Sequence, residues 1–135
     1  MSNTKQLLDY VYENETKHAN KPWLTQPLGG NRVAEYSWSK AVGEARRMAN
    51  YLKSLGYEPG SKIAICSKNC AHFIMTDLAI WMAGHTSVAL YPTLNAESVE
   101  YILEHSESKM LFVGKLDTWD EMKPGVPADL HQVSY

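Results

Sequence analysis

The fold of this chain is decided by residues Lys62 to Val113, which read KIAICSKNCAHFIMTDLAIWMAGHTSVALYPTLNAESVEYILEHSESKMLFV. Three short apolar runs in this segment are rich in β-forming residues: Lys62–Cys66, Thr86–Tyr91 and Lys109–Val113. Two helical patterns separate them, and each connection is too long for a hairpin and long enough for a crossover helix. The segment therefore predicts an α/β fold with three neighbouring parallel strands. Because the runs VALY and MLFV are almost continuously apolar, we expect strands that are buried on both faces of the sheet.

The two connecting helices differ in how their apolar residues are distributed. The first, Cys70 to Ala83, is apolar almost all round; Asn69 is its expected N-cap, and Gly84 ends it. Such a helix must be covered on more than one side, so we expect exposed apolar surface there or at the sheet edges, or contact with another copy of the chain. The second helix, Ala96 to His105, has a single apolar stripe formed by Val99, Ile102 and Leu103.

The residues before the sheet predict a helix followed by a small hairpin. The helix spans Thr4 to His18, with Asn3 or Thr4 as its cap. Two extended runs, Trp23–Gln26 and Val33–Ser37, then flank Gly29-Gly30-Asn31, whose residues tolerate positive φ. This arrangement favours two antiparallel strands joined by a tight turn.

A long amphipathic helix follows the hairpin. Ser37 is its expected cap, and Gly56 supplies its left-handed stop. The Pro59-Gly60 turn then leads into the first parallel strand. Near the end of the chain, we expect a short helix over Thr118–Met122 and the start of a strand over Leu130–Tyr135.

Length and charge limit the classes of function. The 135 residues suffice for one domain with one core. A formal net charge of -2 gives no electrostatic case for binding nucleic acid or an anionic membrane. The start of the chain, MSNTKQLLDYVYENE, does not resemble a secretory signal, and the longest apolar run is too short for a transmembrane segment. Two cysteines give no disulfide framework, so we expect a reduced, cytoplasmic protein.

Several residues invite a catalytic or metal-binding interpretation, but each has a simpler one. Cys66, Cys70, His72 and His85 are the candidate zinc ligands, yet a cysteine inside a buried strand and another beginning a helix are more typical of inert thiols. No G-x-S-x-G elbow supports a Ser-His-Asp or Cys-His catalyst.

Phosphate binding has equally weak support from the residues. Gly29-Gly30 lacks the Lys-Ser/Thr and the following helix that phosphate loops use. Lys68 and Thr93 follow strands and are candidates to face a ligand, but helix-capping turns are the favoured interpretation of both loops. We therefore assign no catalytic, cofactor-binding or metal-binding residue to the chain.

A family resemblance is carried by the deciding segment together with the residues before it. PGSKIAICSKNCAHFIMTDLAIWMAGHTSVALYPTLNAESVEYILEHSESKMLFV resembles the start of the AMP-forming acyl-CoA synthetase and adenylating-enzyme superfamily. The upstream YSWSKAVGEARRMANYLKSLGYEPG is similar to the helix and Pro-Gly turn before that core, although Lys40 stands where the family usually has an acidic residue. Tyr91-Pro92-Thr93-Leu94 and the acidic helix after it look most like the fatty-acid-activating branch. The resemblance covers roughly Tyr36 to Gly114.

The resemblance implies that residues 1–135 are a single partial domain, the amino-terminal part of a larger AMP-binding domain. Family members convert a carboxylate and ATP to an acyl-adenylate and pyrophosphate, and then transfer the acyl group to CoA. ATP, magnesium and CoA are the implied cofactors, and a fatty acid is the implied substrate. The family's phosphate loop, acidic adenylate motif and C-terminal lysine have no counterpart in this sequence, so the piece alone is expected to be inactive.

Two other classes of function remain open at this point. One is a self-contained flavodoxin-like or receiver-like α/β binding module, although Ser67-Lys68-Asn69 offers neither the acidic cluster of receivers nor the phosphate loop of flavodoxins. The other is an interaction scaffold without a ligand, which the apolar Cys70–Ala83 helix would allow.

Overall fold

A four-stranded parallel sheet lies at the centre of the computed structural model, which describes residues 5–135. The elements, in chain order, are α1 (Leu7–Lys17), β1 (Pro22–Gly29), β2 (Arg32–Ser37), α2 (Trp38–Ser54), β3 (Lys62–Cys66), α3 (Ala71–Met82), β4 (Thr86–Leu90), α4 (Ala96–His105), β5 (Met110–Val113), α5 (Trp119–Met122) and β6 (His131–Ser134). A 3₁₀ turn, Lys123–Gly125, joins α5 to the segment before β6.

The sheet has the order β4-β3-β5-β6, and all of its neighbouring strands are parallel. Ile65, in the middle of the sheet, pairs with Ala89 on one side and with Phe112 on the other. The predicted α/β fold and its three parallel strands are therefore confirmed. The expected strand near the C-terminus is also present, as β6, and it extends the sheet on the β5 side.

An apolar core lies on each face of the sheet, and its two central strands, β3 and β5, are therefore buried on both faces. On one face, Ile63 and Phe112 pack with residues of α1, α2 and α3. On the other face, Cys66 and Leu111 pack with residues of α4 and the segment after it. All four residues are at most 1% exposed, which is the burial predicted for the MLFV run.

The same prediction is wrong for the VALY run. Its strand, β4, lies at the edge of the sheet, so Ala89 is exposed and Tyr91, just after the strand, is 77% exposed.

The predicted hairpin and the predicted cap of α2 are confirmed. β1 and β2 pair antiparallel around a turn in which Gly29, Gly30 and Asn31 all have positive φ. The Ser37 hydroxyl accepts from the backbone N–H of Lys40 at 3.1 Å, which satisfies one of the donors that a helix start leaves free.

Two other predicted caps differ from the structure. Asn3 and Thr4 lie outside the described residues, and α1 begins after Gln6, whose N–H donates to the Asp9 carboxylate at 2.8 Å. Asn69 is not the cap of α3, since the helix starts one residue later with Cys70 as the N-cap. Gly84, with a φ of 82°, follows this helix as expected.

Helix α3 is covered on the sheet side and against α2, but not all round. Leu78, Ala79 and Ile80 are buried, whereas Ile74 is 41% exposed and Phe73 is half-buried. Part of the predicted apolar surface is therefore open. Among residues 5–135, no helix combines the length and apolar content that crossing a membrane requires.

Candidate functional site

The carboxyl ends of the parallel strands form the candidate site, since ligands of open α/β sheets bind where successive connections leave a crevice at this edge. Strand β3 connects to β4 on one side, and the chain then crosses to β5 on the other side. The crevice should therefore lie between the loop that follows Cys66 and the loop that follows Val113.

Hydrogen bonds between these two loops close the crevice. The Lys68 N–H donates to the Lys115 carbonyl at 2.8 Å, and the Lys115 N–H donates to the Ser67 Oγ at 3.1 Å. The Ser67 hydroxyl, only 2% exposed, donates in turn to the Lys68 carbonyl at 2.7 Å. The Ser67 hydroxyl and the backbone groups of Lys68 and Lys115 are thus bonded to one another.

The two residues singled out for ligand contact do not form a joint site. The Lys68 ammonium donates to both carboxylate oxygens of Asp117, at 2.8 and 3.0 Å. Thr93 is exposed in the loop after β4, on the opposite side of β3 from Asp117. Lys68 therefore links the loop after β3 to the loop after β5 through its ion pair with Asp117.

The helix starts at this edge are also occupied by protein groups. The first N–H of α3, from Ala71, donates to the Gln26 side-chain oxygen at 2.8 Å. The Asn95 side chain accepts from the Ser98 N–H at the start of α4, also at 2.8 Å. Phosphate binding at a helix start needs such N–H groups to be free, so neither start has the form of a phosphate cradle. The Gly29-Gly30 segment is the hairpin turn and leads into β2, not into a helix.

The candidate metal ligands are divided between the two ends of the sheet. Cys66 and Cys70 lie at the carboxyl end, where the Cys70 Sγ is 3.8 Å from the Ser67 Oγ. His85 lies at the amino end, immediately before β4, with its ring 6.3 Å from that of Tyr57. His72 stacks on the ring of Tyr135 at a centroid distance of 5.6 Å.

Chemistry and position both argue against a metal centre at these cysteines. Burial raises the pKa of the Cys66 thiol to about 11, whereas zinc binds the thiolate. Within residues 5–135, no three His, Cys, Asp or Glu side chains are grouped so that they could share a metal ion.

Sequence reasoning missed the contribution of Tyr135 to this edge. The Tyr135 ring lies against the backbone of Gly114, where an added Cβ would be 2.6 Å from the Tyr135 Cε2. The residue is 37% exposed, and the partial burial of its phenol raises the pKa of Tyr135 to about 12. Together with Met48 and Met75, it lines an apolar cavity of about 150 Å³ between α2 and α3. No local pattern signals this role, because Tyr135 reaches the edge only through the pairing of β6 with β5.

An open parallel sheet with helices on both faces places the chain in the doubly wound α/β class. Residues 11–134 match the family model described as AMP-binding enzyme, and the chain belongs to this family. The expected membership in the adenylating-enzyme superfamily is thereby confirmed.

Its relatives include acyl-CoA synthetases. Fatty acyl-CoA synthetase A of Dictyostelium discoideum is 30% identical over 108 residues, which is 78% of this chain and 16% of that protein. Long chain acyl-CoA synthetase 2 of Arabidopsis thaliana is 32% identical over 108 residues, again covering 16% of the relative. The chain thus spans about a sixth of the length of these relatives.

Solved structures have the same fold. The anthranilate CoA ligase AuaEII, in complex with anthranoyl-AMP, superposes on the whole chain with a TM-score of 0.81 at 22% identity, and the match covers 26% of that protein. At this identity, the comparison establishes the fold of the chain and not its substrate.

Proposed function

We propose that the chain is the amino-terminal part of the adenylating domain of an ATP-dependent acyl-CoA ligase that activates fatty acids. The main support for this proposal is that the family match spans residues 11–134 of this chain, whereas the acyl-CoA synthetase relatives are about six times longer. The fatty-acid assignment rests on the names of those relatives and on the resemblance of the loop after β4 to the fatty-acid-activating branch.

The whole enzyme would catalyse two steps. A carboxylate oxygen of the acid attacks the α-phosphate of ATP, which gives acyl-adenylate and releases pyrophosphate. The CoA thiol then attacks the acyl carbonyl, which gives the thioester and releases AMP. ATP and CoA are thus the implied cosubstrates, and magnesium is implied for the first step.

In this proposal, residues 5–135 are scaffold and contribute no catalytic group. At the carboxyl edge, the Ser67 hydroxyl is bonded to the backbone of both loops, and N–H groups in the first turns of α3 and α4 donate to side-chain oxygens of the chain itself. The described residues do not fit magnesium either, because Asp117, the carboxylate held at this edge, is paired with Lys68.

The chain alone should therefore be inert. Adenylation requires donors that are fixed against the charge developing on the phosphates, and removing one such donor typically costs about a hundredfold or more in rate. Walls that hold the acid against ATP are needed as well, because positioning supplies a large part of the acceleration.

The test is pyrophosphate release with ATP, magnesium and a panel of fatty acids of different length. It compares the 135-residue chain, shown to be folded by circular dichroism, with the protein translated from the gene through its natural stop. We expect no turnover by the first and fatty-acid-dependent turnover by the second. Turnover by the short chain would contradict the scaffold role, and a folded long chain that is silent with every acid would contradict the ligase assignment.

Two finer expectations belong to the same proposal. The open apolar surface near Ile74 is a candidate for self-association of the short chain, which sedimentation at several concentrations would detect. The cytoplasmic location stays a prediction based on two cysteines that form no disulfide.

A further inference from the structure

An apolar cavity of about 150 Å³ lies between α2 and α3. Positions three or four residues apart on one face of each helix line it, together with the residue that follows β6: Ala45, Met48, His72, Met75, Thr76 and Tyr135. Because His72 is exposed, a ligand can reach the cavity from solvent. An apolar cavity of similar size in another protein stays dry and binds benzene, so this cavity has room for a small aromatic molecule.

The lining is chemically suited to an aromatic ligand. The ring of His72 stacks on that of Tyr135, with their centroids 5.6 Å apart and their planes 20° apart. Aromatic rings prefer offset-stacked or edge-to-face neighbours. The thioethers of Met48 and Met75 contact aromatic rings favourably, and their flexible side chains adjust to the shape of a ligand. These walls therefore favour a planar aromatic molecule over an aliphatic one of the same volume.

Glu44 supplies a hydrogen-bond acceptor at the same cavity. Its side chain is 31% exposed, and its charged neighbour, the Arg47 guanidinium, is 4.0 Å away, at the limit of an ion pair. The carboxylate makes no hydrogen bond within residues 5–135, whereas the Thr76 hydroxyl already donates to the His72 carbonyl at 2.7 Å. An aromatic molecule with an N–H group would give Glu44 a donor in a charge-assisted hydrogen bond.

We propose that the cavity between α2 and α3 binds a small planar aromatic molecule that carries an N–H donor. Its ring system packs against Met48, Met75 and the stacked pair of His72 and Tyr135, and its N–H donates to Glu44. Adenylation as proposed above uses none of these side chains, so the cavity takes a ligand other than ATP, the acid and CoA. Its occupation would also join α2 to α3, because both helices contribute contacts.

Indole and indene test the proposal, because the two molecules share a shape and only indole has an N–H group. Each is titrated into the 135-residue chain with ¹³C-labelled methionine methyl groups, whose resonances shift when an aromatic ring contacts them. We expect the signals of Met48 and Met75 to shift together and to saturate. Those of Met110 and Met122, which do not line the cavity, should stay in place. Indole should bind about tenfold more tightly than indene.

Two variants separate the acceptor from the cavity. Glu44→Met keeps the length of the side chain but removes the acceptor, so indole and indene should bind with equal affinity. Glu104→Met, at an exposed position of α4, is the matched control and should keep the preference for indole. Ala45→Leu places a larger side chain in the cavity and should weaken the binding of both molecules about tenfold or more. Because Ala45 is 1% exposed, circular dichroism must show that this variant is folded, and the Glu44→Met comparison decides by itself if it is not.

The inference is overturned if the Met48 and Met75 signals do not move, if indene binds the wild type as tightly as indole, or if the preference for indole survives in Glu44→Met. The same titration of the full-length gene product should give the same affinity. Loss of binding there would show that the rest of the protein fills the cavity, and it would overturn the inference as well. Because the readout is a methyl shift and not turnover, these outcomes are independent of the ligase assignment.

Discussion

The side-chain oxygen of Gln26 in β1 accepts a hydrogen bond from the backbone N–H of Ala71, at 2.8 Å, across 45 residues of sequence. Cys70, the N-cap residue of α3, makes no side-chain bond to its own helix. Gln26 therefore performs the capping role from the hairpin, and the bond ties the β1–β2 unit to the helix above the parallel sheet. The apolar contacts of Tyr36 with Ala71 and Met75 act along the same boundary.

Removing the oxygen at position 26 should destabilise the chain. Gln26→Met keeps the length of the side chain but leaves the Ala71 N–H without its acceptor, so we expect a loss of about 1 kcal/mol in the free energy of unfolding. Gln26→Glu keeps an acceptor and adds a charge that is favourable at a helix start, so it should match or exceed the wild type. Urea titrations of the three proteins check this, and a Met variant as stable as the wild type would show that the bond contributes nothing.

Ser67 should matter more to stability than the ion pair next to it. Ser67→Ala removes a 2% exposed hydroxyl that bonds to both loops of the carboxyl edge, and should cost about 1–2 kcal/mol. Lys68→Met breaks only the pair with Asp117, whose side chains are 47% and 76% exposed, and should cost less than about 1 kcal/mol. Unfolding free energies in low and high salt separate the two, since salt should affect the lysine variant more. The reverse ranking would contradict the closed-crevice geometry.

Gly114 is required for a steric reason. A Cβ at this position would be 2.5 Å from the Ser67 Cβ and 2.6 Å from the Tyr135 Cε2, and it would also overlap the Ser67 hydroxyl. Gly114→Ala should therefore destabilise the chain by about 1–3 kcal/mol, as overpacking does. Gly43→Ala is the matched control, because Gly43 lies within α2 and, apart from the helix's own backbone, no atom of residues 5–135 is within 4 Å of its added Cβ. That change should stabilise the chain by about 0.5–1 kcal/mol, and thermal melts of both variants should shift in opposite directions.

The sequence predicts the elements that local chemistry controls. Ser37 is followed by a helix whose third N–H it can reach, and the apolar run of Met110–Val113 predicts a strand that is buried on both faces. The run VALY gives the same signal, but β4 lies at the sheet edge, and no local pattern encodes that position. The predicted cap of α3, Asn69, was wrong. Asn69 is the nearest residue in sequence with a suitable side chain, whereas the side chain that accepts from the first N–H of α3 is that of Gln26, in the hairpin. The hydrogen bonds that close the crevice could not be predicted from the sequence either, because the contact between Ser67 and Lys115 depends on β5 lying beside β3.

Alkaline pH should destabilise the chain through Cys66. The thiol is 1% exposed, and burial raises its pKa from the ordinary 9.0 to about 11, because a thiolate inside the sheet would be poorly solvated. The protonated thiol is thus favoured in the folded state. Its contribution is fully present below pH 9 and is lost as the pH rises to about 11. The gap between these two pKa values corresponds to about 3 kcal/mol.

Between pH 9 and 10 the effect of the Cys66 thiol can be measured separately from that of Tyr135. The pKa of Tyr135 is raised from 10.0 to about 12, so the contribution of Tyr135 to stability is lost only above pH 10. Urea unfolding of the wild type should show a falling free energy across that interval. Cys66→Ala should be less stable at pH 7, since it leaves a small void, but its free energy should change little between pH 9 and 10. Cys70→Ala, at the half-exposed neighbouring cysteine, is the matched control and should keep the wild-type slope. If Cys66→Ala loses stability between pH 9 and 10 as steeply as the wild type, the alkaline sensitivity originates elsewhere.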